Sequence, residues 1–375
     1  MNFKNYFSLG LITLYNFLFA YKYIAEQTSL GLVFTIVYIL LFLGAFYITN
    51  RINFRWFNSK VFYYSLLLTC SLMFLLLFRY VKVESLHVDR WSVINVFWEH
   101  VFAGKYPYSA QSNMGNYPGP LPVYFLLALP FYFIGEIGIF SITGFLLLAL
   151  FMRRNLTPHK SAVCLILIIL SVPILWEIAV RSTIVVNAVL FILYTSWLLD
   201  LDMNKKKNFF LSAIIGGLVL STRSILVLIF VVYGMYMLRT RLFTFQQLLL
   251  WAGMVMFVLV CTILPFMIIY PHAFLKMNPL FVQTEHLLPL WFSFIFIVFA
   301  IIAGWYCKNK HNLYFAVGVV YAFFFACYAG FNCFEYGFKQ AYFGNVIDLS
   351  YGLFGFVFLL FAAFKQSSVI AVNVK

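Results

Sequence analysis

Charge is scarce in this chain. Only 10% of its 375 residues are Asp, Glu, Lys or Arg, against roughly 25% in a soluble domain. Acids are the scarcer sign, 11 against 25 Lys and Arg. The six cysteines (Cys70, Cys164, Cys261, Cys307, Cys327, Cys333) form no C-x-x-C pair and no His/Cys zinc spacing. Core packing is their expected role, with a disulfide open only to Cys327 and Cys333 near one outer edge. P-loop, Rossmann glycine, G-x-S-x-G and H-E-x-x-H patterns are all missing, which argues against nucleotide-driven pumps, dinucleotide enzymes and serine or zinc hydrolases. No repeat of fixed period and no polar linker divides the chain.

What fills the chain instead is apolar: 64% hydrophobic and 21% aromatic residues, with a mean hydropathy of +0.96. Runs of about 20 apolar residues, enough to cross a bilayer, recur from end to end. They are too long and unbroken for the alternating strands of a β-barrel. The expected fold is an all-α polytopic membrane protein, one integral domain over residues 1–375. The net charge of +14 needs no nucleic acid, because Lys and Arg gather in short loops as the positive-inside rule requires. Basic clusters at Arg51/Arg55/Lys60, Arg153/Arg154/Lys160, Lys205–Lys207, Arg239/Arg241, Lys308/Lys310 and Lys365 are read as cytoplasmic. The first apolar run has no small-residue cleavage site after it and is read as an uncleaved span.

Spans are expected near 6–25, 30–49, 61–79, 183–199, 208–222, 224–238, 245–270, 290–306, 312–331 and 343–364. Charge parity asks for a single net passage over 120–152, broken at Pro130 and Gly135, giving about 12 crossings with both termini inside. Outer segments are then 80–119, 176–182, 221–224, 271–289 and 332–342. Polar groups at these edges are the functional candidates, since charge inside a membrane is costly.

Segment 80–119 is the richest. Residues 90–103 place Trp91, Ile94, Phe97, Trp98, Val101 and Phe102 on one helical face, which suits a short helix lying in the membrane interface. Asp89 precedes it, either as an N-cap or as a carboxylate facing an outward cavity, where it could take a proton from a hydroxyl. Gly104-Lys105-Tyr106-Pro107-Tyr108 and Asn116-Tyr117-Pro118-Gly119-Pro120-Leu121-Pro122 follow as a rigid loop. In this order, these residues resemble the first outer loop of glycosyltransferase superfamily C, closest to its bacterial mannosyltransferase-like branch. Those enzymes take a sugar from a polyprenyl-phosphate carrier on the outer side of the membrane, with the acid of this loop as base. Arg90 follows Asp89, so the D-x-D or E-x-D pair of a metal-dependent version is missing.

The resemblance implies a multi-pass enzyme of the bacterial cytoplasmic membrane with an outward active site. It would move a hexose, by family mannose, to a glycan or lipid acceptor of the cell envelope, with inversion. Neither metal nor cofactor is implied beyond the lipid-phosphate sugar itself. Asp89 is the expected base. Arg223 (in Ser221–Ser224) and Arg181 are expected to hold phosphate, for which the guanidinium fork is suited. Glu177 is four residues from Arg181 and could simply pair with it on a helix. Asn187 lies in the next span, Lys339 is a further contact for phosphate or acceptor, and Tyr106, Tyr108 and Tyr117 would shape the sugar pocket. In 270–289, His272, Lys276, Asn278, Gln283, Glu285 and His286 read as a substrate-shaping loop rather than a metal site. A lipid transporter or flippase and a surface-polysaccharide polymerase are the alternatives. The first calls for repeats and midplane charges, the second for paired arginines in one outer loop.

Overall fold

The computed structural model describes residues 3–52, 54–86, 88–280, 288–289, 291–344 and 346–365. It is 81% helical, with no strand among the described residues. The helices are α1 (Phe3–Ala25), α2 (Gly31–Arg51), α3 (Lys60–Tyr80), α4 (Arg90–Phe102), α5 (Pro122–Ile134), α6 (Gly138–Asn155), α7 (Pro158–Leu170), α8 (Val172–Ala179) and α9 (Ile184–Asp200). Then come α10 (Lys206–Leu220), α11 (Val227–Arg239), α12 (Phe245–Ile269), α13 (Pro271–Lys276), α14 (Trp291–Trp305), α15 (Lys310–Tyr336), α16 (Phe338–Phe343) and α17 (Leu353–Phe364). Four of them, α2, α3, α12 and α15, are long and apolar enough to cross a membrane, and the number rises to six if the bent pairs α5–α6 and α7–α8 each count as one span. Only 17% of the apolar window of α12 and 22% of that of α2 is buried inside the protein. Such faces need lipid rather than water around them.

The bends have local causes. Between α7 and α8 the axis turns by 59°. Pro173 lacks the N–H that would continue the ladder. The freed groups are met from neighbouring helices: the Tyr38 hydroxyl donates to Leu170 O (3.0 Å) and accepts from Val172 N (3.3 Å), and Ser171 Oγ donates to Asn16 Oδ1 (3.1 Å). Broken helices are tolerated in lipid on that condition. Between α5 and α6 the turn is 119°. It falls at Gly135, whose φ of 81° favours glycine. Pro130, expected to share the break, sits inside α5 without ending it.

Contacts between helix ends sort the bundle into two poles. At one pole Lys4 Nζ donates to Asn312 Oδ1 (2.5 Å), Lys310 pairs with Asp200 (2.9 Å) and Lys160 donates to Phe364 O (3.2 Å). Arg153 covers the Tyr63 ring and Arg239 the Trp305 ring there. At the other pole α4 and α5 lie side by side. Phe97 stacks on Phe125 (3.6 Å, 1°) and Trp98 Nε1 donates to Phe125 O (3.2 Å). The start of α5 is tied down by Leu121 N and Val123 N donating to Thr222 O and Ser221 O, each at 3.1 Å. The end of α5 stays beside α4, with Tyr132 stacked on Phe102 (6.0 Å), while the last turn of α6 sets Arg153 beside Tyr63.

All six cysteines are free. Cys327 and Cys333, the one pairing left open, lie on α15. A six-residue step along the helix sets them about 9 Å apart along the axis and about 240° around it, beyond disulfide reach.

Candidate functional site

A cavity of about 780 Å³ opens at the pole of α4 and α5, within the roughly 300–1,000 Å³ typical of ligand sites. Its wall includes Asp89, Arg90, Asn116, Tyr117, Tyr124 and Arg223, with Lys22 and Tyr23 from the end of α1 and Tyr328, Asn332, Asp348 and Tyr351 from the C-terminal helices. Segments remote in sequence converge here because a buried ion network draws them together.

Arg90 is the hub of that network. Its Nη1 donates to Glu177 Oε2 (2.6 Å) and Ser182 Oγ (2.8 Å), while Nη2 donates to both oxygens of Asp348, each at 2.6 Å. Ser350 Oγ donates to the other oxygen of Glu177. Ser350 N donates to Asp348 Oδ1 (3.0 Å), and Asp348 N to the Tyr328 hydroxyl (3.1 Å). The Glu177 side chain is fully buried, a position a carboxylate holds only when paired and hydrogen-bonded. One guanidinium fork thus joins α4 to α8 and to the turn before α17.

Burial by itself would push the Asp348 carboxyl up. The Arg90 guanidinium and the Ser350 N–H outweigh it and hold the group below its ordinary value. A carboxyl held low stabilises the fold above its unfolded pKa, near 3.9, and that contribution is lost as pH falls through the lowered value. Thermal stability of the wild type relative to Asp348→Asn is therefore expected to be constant from pH 8 to about 5 and to shrink below about pH 4. An unchanged difference down to pH 3 would refute the pairing.

Asp89 directly precedes α4, yet its side chain makes no cap bond. It turns instead to the loop, where Oδ2 accepts from Ser112 Oγ (2.8 Å) and Asn116 Nδ2 (2.7 Å). Arg223 lies between α10 and α11 with its guanidinium 6.0 Å from the Tyr124 ring centre. Its Nε is buried with no hydrogen-bond partner among the described residues, and no carboxylate there lies within ion-pair distance.

Arg181 does not share this cavity, contrary to the expectation from sequence. It is 1% exposed and ends α8 in the left-handed conformation (φ 55°). Ser182 N donates to Glu177 O (2.7 Å) and Arg181 N to Ile178 O (3.0 Å), the Schellman pattern whose left-handed position glycine usually takes. The strained position aims the guanidinium at Phe78 O (2.9 Å) and Glu136 Oε1 (3.2 Å). Arg181 therefore clamps the end of α3 to the α5–α6 turn, where Gly138 leaves the room it needs. Its four-residue neighbour Glu177 is taken by Arg90.

The remaining expected residues divide. Tyr117 lines the cavity; Tyr106 and Tyr108 do not. Tyr108 is fully buried against Phe97 and Phe266, and the Tyr106 hydroxyl donates to Met277 O (2.6 Å). These two rings seat the loop on α12 and α13 because apolar surface surrounds them. Asn187 is buried in α9, away from the cavity wall, and Lys339 is exposed on α16. Gln283, Glu285 and His286 lie outside the described residues. Among the described residues no three His, Cys, Asp or Glu side chains are grouped to hold a metal.

Sequence reading missed Arg90 as the hub, Asp348 as its partner, and Lys22. The last is 2% exposed and donates to Ile347 O at 3.3 Å. Around the site Lys22, Arg90 and Arg223 balance Asp89, Glu177 and Asp348. A lysine in the last turn of a helix is ordinary dipole chemistry, so nothing in the local sequence marks it. Comparison with protein-family models, curated proteins and solved structures finds no match for this chain.

Proposed function

We propose that the protein is a membrane glycosyltransferase that moves a hexose from a polyprenyl-phosphate carrier to an acceptor hydroxyl at this cavity. One observation carries the reading: Asp89 and Arg223, from distant segments, line the same cavity. An arginine without a carboxylate partner suits a phosphate, and its planar fork donates two parallel bonds to one. The tyrosine rings around it suit the faces of a sugar. A carboxylate at the cavity wall can take the proton of an attacking hydroxyl. The acceptor oxygen then displaces the carrier phosphate from the opposite face, inverting the anomeric carbon. The phosphate leaves as an anion, so no separate acid is required.

The proposed setting is a chain of about 12 crossings, with the cavity on the outer side and both termini inside. The charge distribution supports it. The sequence segments read as cytoplasmic carry the whole net charge of +14, and the rest of the chain carries equal numbers of acids and bases. Membrane proteins keep such an excess on the cytoplasmic side. The helices α4 and α5, paired through Phe97 and Phe125, would lie in the outer interface, where lipid-borne substrate arrives. The charges at this site lie at helix ends rather than mid-span, which favours an enzyme over a transporter.

The test is transfer itself. Purified protein reconstituted in vesicles is expected to move label from farnesyl-phosphoryl mannose to lipid or glycan acceptors of a membrane extract, releasing farnesyl phosphate. Mannose is the family-level choice, so glucosyl and galactosyl donors belong in the same assay. Failure with all of them would reject the reading.

A further inference from the structure

The Ser112–Asn116 turn bears on Asp89 in a way neither the motif nor the cavity predicts. Ser112 N donates to Asn116 O (2.9 Å) and Gly115 N to Ser112 O (2.9 Å), with Gly115 at a φ of 80°. The turn is fastened to α4 by Ser92 Oγ donating to Asn113 Oδ1 (2.6 Å). Its two inward side chains, Ser112 and Asn116, both donate to one oxygen of Asp89, Oδ2. Ser112 is buried and Asn116 lines the cavity.

An ionised carboxylate oxygen offers about two lone-pair directions. On Oδ2 both are taken. Oδ1 accepts no hydrogen bond among the described residues, and Asp89 borders the cavity. Arg90, the next residue, is held by Glu177 and Asp348, so the backbone at Asp89 is fixed from both directions. Among the described residues the carboxylate thus has one occupied oxygen, Oδ2, and one without a partner, Oδ1.

We infer that Ser112 and Asn116 are positioning residues that make Asp89 Oδ1 the single proton acceptor of the reaction. This rests on the glycosyltransferase reading above. In the step, the proton of the acceptor hydroxyl passes to Oδ1 while the acceptor oxygen bonds to the anomeric carbon. The bond from that carbon to the carrier phosphate oxygen breaks, and the phosphate keeps the electron pair. Without its two donors the carboxylate turns about its side-chain bonds and could present either oxygen. A misplacement of about 1 Å at a reacting group can cost about 100-fold.

Asn116→Ala is the clean variant. It removes the amide donor and leaves the backbone carbonyl that Ser112 N uses. With farnesyl-phosphoryl mannose as donor, kcat is expected to fall by about 10- to 100-fold with KM nearly unchanged. Ser112→Ala should act in the same way, and Ser112→Thr, which keeps the hydroxyl, should restore most of kcat. Wild-type kcat in both alanine variants, while Asp89→Asn is inactive, would overturn the positioning role alone. So would a Ser112→Thr variant as impaired as Ser112→Ala with KM raised in step, because that pattern reports a damaged loop. An active Asp89→Asn enzyme would instead overturn the assignment of the base beneath it.

Discussion

Replacing Arg90 by alanine is expected to destabilise the protein by about 3–5 kcal/mol, the cost of removing one partner from a buried ion pair. The loss falls mainly on Glu177, which is fully buried and, among the described residues, would keep only Ser350 as a side-chain partner. Asp348 is partly exposed, so water can replace some of what it loses, and it contributes less. Arg90→Lys should recover only part of the deficit, because an ammonium cannot serve Glu177 and both oxygens of Asp348 at once. The measurement is unfolding in mixed detergent micelles. Arg90→Met combined with Glu177→Gln is expected to be more stable than Arg90→Met alone, because the orphaned charge is gone. Equal stability of wild type and Arg90→Ala would contradict the hub role.

The larger catalytic effect is expected at Asp89. Asp89→Asn should lower kcat by about 10²- to 10⁴-fold, the range general bases contribute. Asparagine has nearly the same shape, and its amide oxygen can still accept from Ser112 and Asn116, so folding and donor affinity should persist. A fall in kcat without a rise in KM marks an interaction used in the transition state. Wild-type turnover by Asp89→Asn, in protein of normal stability, would remove the proposed mechanism.

Much of the architecture was legible because hydrophobic runs and charge placement act over whole helices. The α4 helix, expected over 90–103, spans Arg90–Phe102, and its buried side chains include Ile94, Phe97 and Trp98. The break at Gly135 was legible because a left-handed residue after an apolar run has few occupants besides glycine. The partner choices were not. Spacing favoured Glu177 with Arg181, four residues apart, but the chain turns left-handed at Arg181 and sends that side chain to Glu136. Glu177 then meets Arg90, which arrives from another element. Tyr106 and Tyr108 looked like pocket residues beside Tyr117. Burial against Phe266 and the Met277 carbonyl decides otherwise, and nothing local to the G-K-Y-P-Y segment encodes that neighbour. Asp89 and Arg223, both read from the sequence as polar groups at helix edges, line one cavity. Lys22 and Asp348 were passed over because their surroundings come from remote segments.

The cavity between α4 and the C-terminal helices is expected to hold a lipid phosphate at Arg223. Binding of farnesyl phosphate to the purified protein, read by calorimetry, tests it without requiring the acceptor. Wild type and Asp89→Asn should bind with similar affinity. Arg223→Gln should bind at least about 10-fold more weakly, in keeping with the loss of a charge-assisted hydrogen bond. Undiminished binding by Arg223→Gln, or no binding by the wild type, would rule out a lipid-phosphate site at Arg223.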